Sequence, residues 1–461
     1  MKKIYFFFIL LFLFAVSGKA QFHVLYNFYD TNGAGPCGAL TPGASGTLYG
    51  MTSQGGSFGW GCAFSIDTNG NHYKKLFSFN YTNGLYPRGS LMLQGNALYG
   101  MLSEGGANNW GCIFSMDTNG NGFRDLYDFN GANGAQPNGS LTLAGGKFYG
   151  TTFYGGTHDS GCIFSVDTNG GGYKDLLIFN GADGAYPHGS LTYAAGVLYG
   201  MALEGGKYDS GCIFSIDTNG SGYKDLLDFN TLSGAYPYGS LILSGNILYG
   251  MTSGGGTGNG NIFSIDTNGG RFTNLFNFNV SNGSNPDGSL AISGNRLYGM
   301  TSSGSFDYDG NIFSIDTNGG GFTDMTDFEG YNGRYPAGDL RVYNKMIYGM
   351  AVSGGANSGG VIFKIDSNSI ASINELSKSN NGVSLFPNPN NGRFQLGISN
   401  YELVIKNTVE VYNMLGEKIY STELTSSNTQ LDLSTSASGV YLYRVLTKTG
   451  DLISEGKFVI Q

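Results

Sequence analysis

The sequence predicts an all-β protein: a seven-bladed β-propeller followed by a small Ig-like β-sandwich. Three observations carry that reading. The Tyr of an L/F/I-Y-G motif recurs at Tyr49, Tyr99, Tyr149, Tyr199, Tyr249, Tyr298 and Tyr348. An Asp closing an F-S-I-like segment recurs in step, at Asp67, Asp117, Asp167, Asp217, Asp266, Asp316 and Asp366. After Asp366 the repeat stops and the composition changes. Four strand-like pieces in a period of about 50 residues are the sequence signature of propeller blades.

The second full repeat shows how the pieces are read. Ser90 to Leu93 alternates, and Gly95-Asn96 leads into Leu98-Tyr99-Gly100-Met101. A glycine-rich loop follows. Cys112 to Asp117 is the third strand, and Phe123 to Phe129 returns as the fourth. Between them stands Thr118-Asn119-Gly120-Asn121-Gly122. Asn-Gly between alternating runs is a strong hairpin signal, because both residues tolerate positive φ. The same stretch also fits the first half of a calcium loop, through Asp117, Asn119, Asn121 and Gly122. The other copies favour the turn. Their fifth position is Asn71, Gly171, Ser221, Gly270 or Gly320, and no twelfth-position Glu follows. No metal site and no cofactor are expected.

The ends of the array predict ring closure. Phe22 to Phe28, "FHVLYNF", matches fourth-strand segments such as "YKDLLDF", while the last repeat stops after Val361 to Asp366. One spare fourth strand at the start and one missing at the end give seven complete sheets. An open solenoid would not need that complement. Closure also removes strand edges that invite aggregation.

Composition narrows the partners. The 461 residues include 78 Gly, 32 Phe and 31 Tyr but only 2 Trp, and 12% are charged. A net charge of -9 makes a nucleic-acid partner unfavourable. Cys62, Cys112, Cys162 and Cys212 hold one position in four consecutive repeats, replaced later by Asn261, Asn311 and Val361. That spacing is too wide for disulfides, and with Cys37 the count is odd. They are read as buried free thiols.

The N-terminus reads as an export signal over residues 1–20. Lys2 and Lys3 precede an apolar run from Ile4 to Val16, and Gly18 and Ala20 suit cleavage before Gln21. The run is short for a bilayer span, so no transmembrane segment is expected in the mature chain. Residues 21–367 form the predicted propeller, 368–381 a polar linker, and 382–461 a separate β-domain.

Candidate site residues come from comparing the repeats with one another. The residue after the recurring Pro is Cys37, Arg88, Asn138, His188, Tyr238, Asp287 or Ala337. That position enters the inner strand, so it should ring the mouth of the channel. Varied chemistry on one geometry suits a ligand site, although an exposed position free to drift would vary too. Trp60 and Trp110 occupy equivalent loops of adjacent blades. They could form sugar platforms or fold back to cap their blades. Catalytic signals are weaker. Gly55-Gly56-Ser57-Phe58-Gly59 satisfies G-x-S-x-G but sits in a β loop. Asp307 and Asp309 lie on one loop and read as solvated turn residues.

Two resemblances follow. The period, the L-Y-G motif, the G-G loops and the F-S-I-D-x-N-G segment resemble the GloVer tandem repeat of surface proteins with varied anchors. That family supplies no catalytic motif that maps onto these residues. The C-terminal segment resembles the type A sorting domain of the Bacteroidota type IX secretion system. The matching residues are Phe386-Pro387-Asn388-Pro389 with Gly392, Val411-Tyr412-Asn413 to Gly416, Gly439-Val440-Tyr441, and Lys457 to Ile460. The resemblance implies Sec export, type IX machinery as a partner, and removal of the domain. Release or attachment to surface lipopolysaccharide would follow. The functional expectation is a secreted or surface-displayed binding protein with a glycan or another surface component as ligand. A polysaccharide hydrolase or lyase, and a structural adhesion component, are the alternatives.

Overall fold

The computed structural model describes residues 22–366, apart from 257 and 306. It also describes residues 383–460, apart from 387–391, 399–406, 414–416, 425, 427 and 448–451. The expected signal peptide (1–20) and linker (368–381) lie outside the described residues. The chain divides into two compact units, Met1–Ile370 and Ala371–Gln461.

Among the described residues, the first unit contains seven four-stranded sheets. In the second sheet the strands are Met92–Gln94, Ala97–Leu102, Cys112–Asp117 and Arg124–Asp128, each antiparallel to the next. The seventh sheet is made from both ends of the array. Arg341–Tyr343, Met346–Ala351 and Val361–Asp366 are completed by Phe22–Asn27, with Phe22 opposite Ile365 and Asn27 opposite Val361.

The Y-G motif has a steric cause. Gly100 pairs with Phe114 across the ladder, and a Cβ on Gly100 would lie 2.7 Å from the Phe114 ring. Glycine opens the slot that the ring fills. Gly50, Gly150, Gly200, Gly250, Gly299 and Gly349 do the same for Phe64, Phe164, Phe214, Phe263, Phe313 and Phe363.

Each slotted Phe then receives a second Phe from the preceding sheet. Phe79 meets Phe114 with ring centroids 5.3 Å apart, edge to face, and Phe129 meets Phe164 at 5.2 Å. The series runs through Phe179–Phe214, Phe229–Phe263 and Phe278–Phe313 to Phe328–Phe363. Phe28, which continues the outer strand of the seventh sheet, meets Phe64 of the first at 5.3 Å. The contact therefore recurs at all seven junctions and returns to its start. Burying a Phe side chain contributes roughly 1.5–3 kcal/mol, and edge-to-face packing adds about 0.5–1.5 kcal/mol per pair.

A second circuit lies nearer the axis. A Cβ on Gly89 would stand 2.2 Å from the carbonyl oxygen of Gly139. The approach repeats from each glycine to the next and ends with Gly338 against Gly38 and Gly38 against Gly89. The following residue carries a hydrogen bond in the same sense. The Ser90 amide donates to Ser140 Oγ at 2.8 Å, Ser140 to Ser190, Ser190 to Ser240, and Ser240 to Ser289. Ser289 donates to the Asp339 carboxylate, and Ala39 donates to Ser90 Oγ. The Asp339 amide turns to Gly38 O.

The D-T-N-G segment is a turn. Asp117 Oδ1 accepts from the amides of Asn119 and Asn121, both at 2.8 Å, and the Asp117 amide donates to Asn121 O. Those hydrogen bonds, led by the one from Asn121, hold the carboxyl below its ordinary range. The positive φ falls on Gly120 (88°) and Gly122 (63°). Asn119 was the other residue expected to suit that conformation, and it is not in it. The four aligned cysteines are buried, as read, whereas Cys37 is only half-buried.

In the second unit, Val383–Phe386, Arg393–Ile398 and Asn428–Asp432 form one sheet. Lys418–Glu423, Thr408–Tyr412, Gly439–Leu446 and Leu452–Ile460 form another. One core takes Phe394, Leu396 and Leu431 from the first and Val409, Val411, Tyr443 and Phe458 from the second. Alternation sets the faces: Tyr441, Tyr443 and Val445 point inward while Val440 and Leu442 are exposed. Among the described residues no helix is long and apolar enough to cross a membrane.

The axial packing makes a direct prediction. Gly189→Ala drives a methyl group into Gly239, whose carbonyl oxygen would be 2.2 Å away. Overpacking of this kind costs about 1–3 kcal/mol. The measurement is the urea midpoint of the purified chain, which should fall. An unchanged midpoint would mean that the ring expands without cost.

Candidate functional site

The Pro before each axial glycine fixes where the next side chain goes. That residue lies two positions before the Ser ring and, from the second sheet on, ahead of the inner strand it was expected to enter, which begins only at Met92, Thr142, Thr192, Ile242, Ala291 or Arg341. Arg88, His188, Tyr238 and Asp287, all singled out from the sequence, line one cavity of about 480 Å³. Ala337 lines it too, together with Tyr236, Ser253 and Asn285. Those last three were not foreseen. The recurring Tyr-Pro dipeptide was the available signal for Tyr236.

Each polar group of the mouth has a distinct environment. His188 Nδ1 lies 3.2 Å from Tyr238 O, and its ring meets Tyr238 edge to face at 5.3 Å. Burial pushes the imidazole down from its ordinary 6.5 to about 4, with the Tyr238 carbonyl opposing and Arg88 assisting. Asp287 is shifted the other way, upward, by burial. Ser302 Oγ, donating at 2.7 Å, partly offsets that shift. Cys37 donates to Pro87 O at 2.9 Å, and burial pushes its thiol up to about 12.

Asn138, singled out with them, falls between Arg88 and His188 in ring order but does not line this cavity. It is only 8% exposed, and its Oδ1 has no hydrogen-bond partner. A buried unpaired amide oxygen ordinarily costs about 1–3 kcal/mol.

Trp60 and Trp110 do not line this cavity. Trp60 packs edge to face on Tyr86 at 5.3 Å, and a Cβ on Gly131 would lie 3.5 Å from the Trp110 ring. Each indole thus leans on the loop of the next sheet while remaining 37% and 47% exposed. A second cavity, of about 410 Å³, is lined by Asp30, Gln54, Gly59 and Tyr86 among others. It adjoins Trp60 through Gly59 and Tyr86.

The possible catalytic carboxylates separate. Asp307 is exposed, as expected of a turn residue. Asp309 corrects the reading of a solvated pair: it is 4% exposed and its Oδ2 accepts from Arg334 Nε at 2.9 Å. Ser57 of the G-x-S-x-G stretch is on an exposed loop, hydrogen-bonded to Lys75 and Ser78.

The profile of the Gloeobacter/Verrucomicrobia repeat matches residues 11–206 and 194–391. The chain belongs to this repeat family. The secretion system C-terminal sorting domain matches residues 384–461. The repeat protein is thus an extracellular or cell-surface protein, and its tail addresses it to type IX secretion machinery. No curated protein matches it. Among solved structures, the chain is similar to an oligogalacturonate lyase from Vibrio parahaemolyticus. They share 10% identity and a TM-score of 0.52, over 75% of this chain and 93% of that one. It is also similar to the extracellular domain of a proposed one-component system from B. thetaiotaomicron. The identity is 13% and the TM-score 0.50, over 96% of this chain and 58% of that one. PorZ, a surface component of the type IX system of Porphyromonas gingivalis, gives 13% and 0.46, over 90% and 58%. The repeat protein therefore spans little more than half of the last two. These likenesses concern the propeller-like all-β fold.

His188 supplies a pH test of the mouth. A folded value below the unfolded one means that the native state binds fewer protons. The stability held by neutral burial is present above about pH 6.5 and lost as pH falls toward about 4. The urea midpoint should drop through that interval, and His188→Gln should flatten the drop. Equal slopes in both proteins would place the imidazole in water.

Proposed function

We propose that this chain is a glycan-binding protein of the cell surface, built on a seven-bladed propeller whose axial mouth holds the ligand. The observation that supports it best is the cavity shared by Arg88, His188, Tyr238 and Asp287. These groups offer a cation, a neutral imidazole, an aromatic ring and a carboxyl on one rigid frame. Convergent polar groups with an aromatic wall suit a hydroxyl-rich ligand.

A second reading has its own observation. Asp287 is shifted toward its protonated form, and His188 toward its neutral form, in one cavity. Groups pushed apart in this way can divide acid and base roles, as a glycan lyase or hydrolase requires. One experiment separates the readings. The full chain is incubated with an oligosaccharide array, and any bound sugar is analysed for new reducing or unsaturated ends. Binding without products supports the first reading and turnover the second. Arg88→Ala with Asp287→Ala should weaken binding at least tenfold. Retained affinity would remove the mouth as the site.

The export route completes the proposal. Residues 1–20 direct the chain through the Sec system, and the tail, an Ig-like sandwich, carries it across the outer membrane. Its motifs support this reading, as does its match to the sorting domain. Truncation after Ser379 should leave the propeller in the periplasm, as read by protease accessibility on intact cells. Surface display of the truncated chain would refute it.

A further inference from the structure

Six residues on the face of the mouth have a backbone conformation that L-amino acids avoid. Tyr86, Gln136, Tyr186, Tyr236, Asn285 and Tyr335 have φ between 50° and 58°. Each stands directly before the Pro of its repeat. A left-handed backbone is strained for a bulky side chain and persists only where the surroundings impose it.

The surroundings do impose it. The Tyr86 amide donates to Trp60 O of the preceding sheet at 3.2 Å, and Gln136 does the same to Trp110 O at 3.0 Å. Tyr186, Tyr236, Asn285 and Tyr335 repeat the bond to Ser160, Ser210, Asn259 and Asp309. The carbonyls of Tyr86, Gln136, Tyr186, Tyr236 and Asn285 each accept an amide from their own sheet. All these bonds are backbone bonds, so the frame does not need the side chains. The first sheet proves the point: its equivalent is Gly35, at φ 62°, with the same amide bond to Gly359 O. Glycine would relieve the strain at the other six positions. Large side chains persist there, which points to a use for them.

Their neighbours indicate the use. Tyr186 lies 5.4 Å from both Phe153 and Tyr154, Phe153 lies 5.9 Å from His188, and His188 lies 5.3 Å from Tyr238. Tyr236 and Asn285 line the mouth cavity, and Tyr86 lines the second cavity. An aromatic arc thus runs from Tyr154 through Tyr186, Phe153 and His188 to Tyr238 in the mouth; Tyr154 and the mouth-lining Tyr236 are exposed. The charge beside it is mainly acidic: Glu204, Asp159 and Asp209 act on Tyr186 and Asp30 lines the second cavity, whereas the mouth holds one cation, Arg88, and one carboxyl, Asp287.

We infer that the residues before the Pro form a sugar-stacking rim and that its ligand is a neutral pyranose chain. Flat rings cover the apolar face of a pyranose, and the flanking carboxylates accept its hydroxyl protons. A polyanion such as a uronate chain would meet like charge on the same rim. The inference rests on the glycan reading above and adds the class of sugar and the residues that select it.

The test uses the full chain, an array of neutral hexasaccharides and matched uronic-acid hexasaccharides, and the double variant Tyr186→Gly with Tyr236→Gly. Neutral sugars should bind, and the variant should bind them at least tenfold more weakly. Its melting temperature should stay level or rise, because the left-handed strain is gone. Wild-type binding that the variant retains would overturn the rim while leaving the mouth in place. A preference for uronates would overturn the neutral class but not the glycan reading. A variant that melts lower and binds as before would make these residues structural. No binding by the wild-type chain would overturn both readings together.

Discussion

The pairing of Phe22–Asn27 with Val361–Asp366 joins the two ends of the array, and the circuit of sheet-to-sheet contacts depends on that junction. The mouth cavity takes residues from five of the seven sheets, through Arg88, His188, Tyr238, Asp287 and Ala337, so an open array would spread them along an arc. The junction is also where closure costs most. The partners are more than 330 residues apart in sequence, and ordering that length carries a loop-closure entropy that local hairpins avoid. The return comes from contacts used elsewhere in the ring. Phe28 meets Phe64 as Phe79 meets Phe114, and Gly338 meets Gly38 as Gly89 meets Gly139. A repeat protein closes cheaply when its last interface is a copy of the other six.

That economy divides the repeat into fixed and free positions. The slot glycine, the slotted Phe, the axial glycine and the following hydroxyl each touch the neighbouring strand or sheet, so their size is set by packing. The residue between Pro and the axial glycine touches little that recurs. It can be Arg88, Asn138, His188, Tyr238 or Asp287 without altering the frame. The Ser ring shows the limit of such freedom. Asp339 replaces the serine and still accepts the Ser289 amide, whereas Ala39 cannot accept, and the Asp339 amide turns to Gly38 O instead.

Much of this was legible in the sequence because each element was written seven times. The period, the spare strand at Phe22–Asn27 and the Asn-Gly turns are local signals. Five residues of the mouth cavity, Arg88, His188, Tyr238, Asp287 and Ala337, come from one variable column beside a Pro and a Gly that recur in every repeat, whereas Cys37 and Asn138 of that column do not line it. What escaped needed register or backbone angles. Asp309 reads as a loop acid until Arg334, from the following repeat, is placed against it. Tyr186 and Tyr236 are not singled out, since nothing in the letters Tyr-Pro announces a left-handed φ. The preference of a pre-proline residue is for extended backbone, so propensity pointed the wrong way.

The column of cysteines shows what register adds. In sequence the change from Cys212 to Asn261, Asn311 and Val361 looks arbitrary. In the ladder each of these residues faces a second-strand partner: Thr52 opposite Cys62, Thr252 opposite Asn261, Thr301 opposite Asn311, Ala351 opposite Val361. The asparagines are fully buried and satisfied, with Thr252 Oγ1 donating to Asn261 Oδ1 at 2.7 Å and Asn261 Nδ2 donating to Ser233 O at 2.9 Å. Asn311 repeats the arrangement with Thr301 and Asn282. Val361 opposite Ala351 removes both polar partners together. A buried amide without its threonine would leave an unpaired group, and a valine opposite threonine would leave a hydroxyl short of one partner. The cysteines tolerate either neighbour, Thr52 and Thr152 or Leu102 and Ala202, because a thiol is a weak donor that loses little when unpaired. The position is therefore selected as a pair across two strands, and the free thiols are one of three ways to fill it.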